Sequence, residues 1–164
     1  MTFNFDTEVE LNFDFDVKEV YEQAVTAVLD YSNCPYETEV SLLITDLDSI
    51  RQINKDMRGL DTPTDVLSFP MSDYDIPGDF DNIEDADDAF DPDSGELLLG
   101  DIVICADKII SQSIEYGHSM KREFAFLIVH SMLHLIGFDH IEENDRTVME
   151  AASHEIMIKL NIPR

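Results

Sequence analysis

This sequence has few of the features that place a chain outside the cell or in a membrane. Its only cysteines, Cys34 and Cys105, are far apart and lack metal-ligand spacing. That excludes a disulfide scaffold and predicts two reduced thiols in the core. No apolar run reaches the roughly 18 residues a spanning helix needs. The stretch Met1–Asp6 is acidic, without the basic flank and apolar core of a secretory signal. These absences predict a cytoplasmic protein with no membrane partner. Positive charge is also scarce: ten Lys and Arg stand against 36 Asp and Glu, a formal net charge of −26. Phosphate binding usually shows as a basic face. A polyanionic substrate would therefore have to meet a local patch, or arrive with a partner that carries positive charge.

What is present suffices for one domain with a real core, since 44% of the 164 residues are apolar. No internal repeat and no second domain is visible. Odd positions from Phe3 to Phe15 are mostly apolar and even ones mostly polar, which predicts a half-buried strand at least across residues 8–14. The period then changes. Val17, Val20, Tyr21, Ala24, Val28 and Tyr31 share one helical stripe, with Asp16 as N-cap and Cys34-Pro35 as stop. A strand is expected at 40–45, then a helix from Asp46 or Asp48 to Arg58 with Ile50, Ile53 and Met57 inward and Gly59 as its end. A short apolar strand follows at 66–69.

Residues 72–96 contain eleven acids, two Pro, two Gly and no Lys or Arg, and predict a mobile acidic surface loop. Its Asp clusters raise the question of Ca²⁺, but the spacing fits no EF-hand. A strand over 97–105, interrupted at Gly100-Asp101, leads to a helix over 106–116 that stops at Gly117. Ser119 can cap the next helix, to Ile136. Its apolar residues, including Phe124, Phe126, Leu127, Met132 and Leu135, surround most of its circumference, so it should be the central buried helix. A last helix over 145–160 should turn Val148, Met149, Ala152, Ile156 and Leu160 inward. The fold class expected is α+β: one domain over 1–164, a small mixed sheet of about four strands with helices packed on it.

The chemistry concentrates at 130–140, His-Ser-Met-Leu-His-Leu-Ile-Gly-Phe-Asp-His. His130 and His134 are one helical turn apart on one face. Gly137 lets the chain turn back and bring His140 towards them. Three imidazoles suit one divalent ion, most plausibly Zn²⁺, with an open coordination position. Asp139 could accept the free ring N–H of a ligand histidine. His118 and His154 are expected at the surface. The spacing matches the metzincin signature except that Ser131 stands where those proteases carry the general-base Glu. Serine takes no proton near neutral pH, so peptide or ester hydrolysis falls to second place.

Three blocks resemble the YbeY endoribonucleases, also described as rRNA maturation factors. They are the His130–His140 run, Arg58-Gly-Leu-Asp-Thr-Pro-Thr64-Asp65-Val-Leu-Ser68-Phe-Pro, and Leu99-Gly100-Asp101-Ile102-Val-Ile, over roughly 38–160. Ser131 departs from the Gly of many members, and the acidic stretch before Gly95 is long. The resemblance implies that His130, His134 and His140 hold one Zn²⁺ or another divalent transition metal, and that Arg58 contacts substrate in the same cleft. It also implies a single-strand-specific endoribonuclease acting in 16S rRNA 3′-end maturation and ribosome quality control. The implied partners are rRNA and small-subunit and assembly proteins, not DNA. Asp65 and Ser68 are read as cleft-wall residues, Asp65 either orienting Arg58 or making strand-edge hydrogen bonds. A third reading, a ribosome-assembly factor with a structural metal and indirect RNA contact, is favoured by the net charge over a free-standing nuclease.

Overall fold

The structure, a computed structural model, describes residues 1–164. Four strands and five helices follow one another along the chain: β1 (Thr2–Thr7), α1 (Val17–Tyr31), β2 (Thr38–Thr45), α2 (Leu47–Arg58), β3 (Val66–Pro70), β4 (Leu97–Cys105), α3 (Ala106–Tyr116), α4 (Met120–Leu135) and α5 (Glu143–Leu160). The sheet runs β1-β2-β4-β3, with the first three strands parallel and β3 antiparallel to β4. This is the small mixed sheet of an α+β domain.

Alternation along the strands divides the sheet into two faces. Leu42, Ile44, Ile102 and Ile104 point into the main core with α1, α4 and α5. Leu67, Val103 and Cys105 point the other way and pack with Ile50 of α2. The buried Tyr21 hydroxyl lies 3.1 Å from both the Asn4 and Val40 carbonyls, tying α1 to β1 and β2. A bulge puts Gly100 opposite Val40, so β4 bends without being interrupted. Gly100 has φ +135°, and a Cβ there would lie 2.2 Å from the Phe69 carbonyl oxygen. Only glycine lets β3 approach so closely.

Helix caps follow the sequence. The Asp16, Asp46 and Ser119 side chains accept from the backbone N–H groups of Glu19, Ser49 and Arg122, and Gly59 and Gly117 end their helices in the left-handed conformation. Helix α4 is the central element, and Phe124, Leu127, Ile128, Met132, Leu133 and Leu135 are fully or almost fully buried.

Four expectations are corrected. The N-terminal strand is residues 2–7, not 8–14: its neighbour β2 ends at Thr45, and the bond from Glu8 N–H to the Ile44 carbonyl is the last available. Beyond it Val9, Leu11, Phe13 and Phe15 still pack on the core without a strand partner. Met57 and Val148 point to solvent, and Phe126 is 40% exposed, because each lies past the edge of the surface its helix covers. His118 is not a surface residue, since its Nε2 lies 2.7 Å from the buried Glu123 carboxylate.

The acidic segment is the largest correction. Phe80, Ile83 and Ala89 are buried in the main core, with Tyr74 and Phe90 packed beside them and a 3₁₀ turn at Ile83–Asp85. All the acids but Glu96, which is buried against the N-terminal ammonium, lie at or near the surface while a few apolar side chains anchor the backbone, so composition alone misjudged the segment. Replacing Phe80 by Ala should cost about 3–5 kcal/mol in urea unfolding, as for a core phenylalanine. A change of about 0.5 kcal/mol or less, as for a surface substitution, would restore the free-loop description.

Candidate metal centre

Helix α4 presents His130 and His134 one turn apart, and the chain then reverses to carry His140 back over them. Gly137 makes the reversal, with φ +101°. A Cβ there would meet the Tyr74 Cβ at 2.6 Å, so the docked acidic segment leaves room only for glycine. The Gly78 N–H also donates to the Ile136 carbonyl at 2.9 Å, and Phe138 packs beside Gly78. Residues 74–80 thus buttress the turn that places the third imidazole.

The three rings converge. Their ligand atoms all lie within 4.8 Å of one another, and the Nε2 atoms of His130 and His134 are 3.2 Å apart. Two nitrogens bound tetrahedrally at about 2.0–2.1 Å from zinc stand roughly 3.3 Å apart, so this spacing fits such an ion. His134 Nδ1 lies 3.0 Å from the Phe138 carbonyl. A carbonyl only accepts, so Nδ1 carries the proton and Nε2 offers its lone pair to the centre. Burial, then the neighbouring rings of His134 and His140, push His130 down to about 4. Burial lowers His134 as well, against the opposing effect of its bond to the Phe138 carbonyl. Neutral imidazoles with fixed lone pairs are what a divalent ion requires.

The surrounding cleft, about 540 Å³, is lined by Arg58, Thr64, Asp65, Ser68 and Asp139 along with the three histidines. Arg58 ends α2, is exposed, and takes part in none of the ion pairs. Asp65 does not orient it. One Asp65 oxygen accepts from the Val66 N–H at 2.8 Å, and the other accepts from Gln112 Nε2 at 3.3 Å. Strand-edge bonding is therefore its role, and Gln112, unnoticed in the sequence, links it on to the buried Glu123. Asp139 is also corrected. Its carboxylate accepts from the backbone N–H groups of His140 and Ile141, not from a ring, so it holds the turn. The ring partner is the Phe138 carbonyl, a backbone group that no side-chain pattern announces. Ser131 is wholly buried and hydrogen-bonded to Ser68, which pins α4 to β3 behind the site.

Fold and site together have the form of a mononuclear metal enzyme: three imidazoles at the floor of an arginine-edged cleft on an α+β scaffold. The family model described as endoribonuclease YbeY matches residues 3–161. Proteins named endoribonuclease YbeY from Agathobacter rectalis and Lachnoclostridium phytofermentans are 53% and 49% identical over 165 aligned positions, covering 100% of each chain. The solution structure of TM1509 from Thermotoga maritima has a TM-score of 0.59 at 19% identity, over 97% of this chain and 89% of that one, and shares the fold. The chain belongs to the YbeY family of endoribonucleases.

Two outcomes follow from the geometry. His134→Ala should lose stoichiometric metal by elemental analysis, and one ion per chain retained would refute its part in the centre. In the chelated protein, His130 and His134 titrate below the unfolded value of about 6.5. Between that pH and about 4 the unfolded chain binds more protons, so stability should fall as pH falls through this window. His130→Gln should flatten the decline in thermal unfolding, and an unchanged pH dependence would mean that His130 is not held neutral by the fold.

Proposed function

We propose that this chain cleaves phosphodiester bonds of single-stranded RNA at a Zn²⁺ ion held by His130, His134 and His140, with Arg58 on the substrate phosphate. The observation carrying this reading is the convergence of three imidazole donors in one cleft with an arginine free of carboxylate partners. An ion held there supplies Lewis acidity at a phosphoryl oxygen. Arg58 pairs with the phosphate through its planar guanidinium and stabilises charge as it accumulates on the equatorial oxygens. Asp65 and Ser68 shape the wall, and Asp139 keeps His140 in place. RNA contains a nucleophile of its own, the 2′-hydroxyl, so the chemistry does not depend on a protein base at position 131. Zinc is favoured over harder cations because all three donors are nitrogens.

In the cell this activity acts in the cytoplasm on the 3′ end of 16S rRNA and in ribosome quality control, with small-subunit and assembly proteins as partners. Family membership supports rRNA as substrate. No helix is long and apolar enough to cross a membrane. The net charge of −26 favours a second reading, an assembly factor whose ion is structural. Mapping small-subunit rRNA 3′ ends in cells lacking the protein separates the two, since unprocessed ends support the nuclease and normal ends the assembly factor. Arg58→Ala should keep its metal and lose RNA cleavage by about a hundredfold or more, in the range seen when a single charge-stabilising donor is removed. Unchanged cleavage would remove Arg58 from the mechanism.

A further inference from the structure

Five arginines are present, and their placement is not even. Arg51 pairs with Asp61, and Arg164 donates to the Tyr116 carbonyl. Of the other three, Arg58 lines one and Arg122 and Arg146 line the other of two cavities that share His130 and His140. One cavity is the cleft already described. The second is a groove of about 310 Å³ between α4 and α5, on the far side of the two histidines.

The groove has the parts of a nucleotide site. Phe126 leaves 40% of its surface exposed and stacks on the His130 ring, with centroids 6.1 Å apart and planes 29° from parallel. Met149 and Met157 form an apolar floor. Ser153 also lines the groove, is only 7% exposed, and its Oγ has no hydrogen-bond partner. Arg146 makes no ion pair, and Arg122 uses one N–H on the Ile162 carbonyl while keeping others free. Glu150, exposed and one helical turn from Arg146, lines the groove too, so its apolar interior rather than a charged floor is what a base would meet. An uncharged base suits the interior, and the phosphates on either side of it suit the arginines at the rim.

We infer that the α4–α5 groove is the subsite for the nucleotide flanking the scissile phosphate. In it the base stacks on Phe126, Ser153 Oγ bonds the base edge, and Arg146 and Arg122 hold the backbone. This rests on the ribonuclease reading above and extends it, because it gives single-strand preference a cause. A base in a duplex is paired and stacked on both faces and cannot reach Phe126, whereas an unpaired one can. The strand would then cross the metal centre from the Arg58 side to the Arg146 side, with cationic contacts at both ends.

The test uses zinc-loaded protein at low ionic strength and a single-stranded oligoribonucleotide made resistant to cleavage by 2′-fluoro groups, carrying 2-aminopurine at successive positions. Wild-type protein should quench the fluorophore at one position. Phe126→Leu, which keeps an apolar side chain at this partly exposed site, should lose that quenching and bind roughly tenfold or more weakly. Arg146→Ala should lower the slope of log affinity against log salt by about 0.7. Bound zinc, measured by elemental analysis, should be unchanged in both. Wild-type affinity and quenching in Phe126→Leu would overturn the subsite, as would loss of zinc along with binding, which would make Phe126 a support for His130. An unmodified strand separates the levels of inference. If wild-type protein cleaves it and both variants cleave it equally well, only the subsite fails. If wild-type protein cleaves no single-stranded RNA, the ribonuclease reading fails and takes the subsite with it.

Discussion

The hydrogen bond from His134 Nδ1 to the Phe138 carbonyl joins the end of a buried helix to the turn that doubles back over it. It fixes one ring's tautomer and, through the same turn, the approach of another. The bond exists only if the chain reverses tightly after Ile136, which requires the positive φ of Gly137. Gly137 in turn must lack a Cβ because Tyr74 already fills that space. Tyr74 is held by a segment anchored through Phe80, Ile83 and Ala89 in the main core. The geometry of the centre is thus set jointly by α4 and by a stretch of chain remote from it in sequence.

Burial links this support to chemistry. Ten of the sixteen residues of α4 are buried, Ser131 among them, so rotation or sliding of the helix would break contacts on every side. The same apolar surroundings depress the proton affinity of His130 and His134 and leave both rings neutral. Rigidity and donor character therefore have one cause. Arg58 is treated differently: it stands exposed at the end of α2, solvated and in none of the ion pairs.

The elements with strong local signals were legible in the sequence. The caps at Asp16 and Ser119, the stops at Gly59 and Gly117, and the helical spacing of His130 and His134 are all short-range, and the structure places each as read, while of the two caps left open for α2 it uses Asp46. The failures share a cause of the opposite kind. Residues 8–14 have a strand's pattern, but a strand also needs a neighbour, and where β2 ends is not written in its partner's alternation. The segment 72–96 has a loop's composition, yet three buried apolar side chains suffice to dock it. Asp139 was given a ring N–H as its partner and accepts from backbone N–H groups instead, while of the two readings left open for Asp65 the structure shows the strand-edge bond, with Gln112 as a partner no sequence pattern announces.

The net charge bears on encounter more than on contact. At physiological ionic strength the field of an exposed carboxylate fades over about 8 Å, so acids on distant surfaces slow the approach of RNA without weakening an arginine already touching phosphate. The acids of residues 72–96 stand closer, since that segment packs on the Gly137 turn. An RNA strand approaching this protein therefore meets a net repulsive field. Such a barrier disfavours loose binding of any polyanion and matters little to a strand delivered in position. A partner that holds the rRNA end would remove the encounter penalty and leave the arginine contacts intact. Under the proposed function the acidity and the nuclease chemistry do not conflict: the net charge opposes the approach of stray RNA, while the contacts proposed for Arg58, Arg122 and Arg146 would form once a strand is in place.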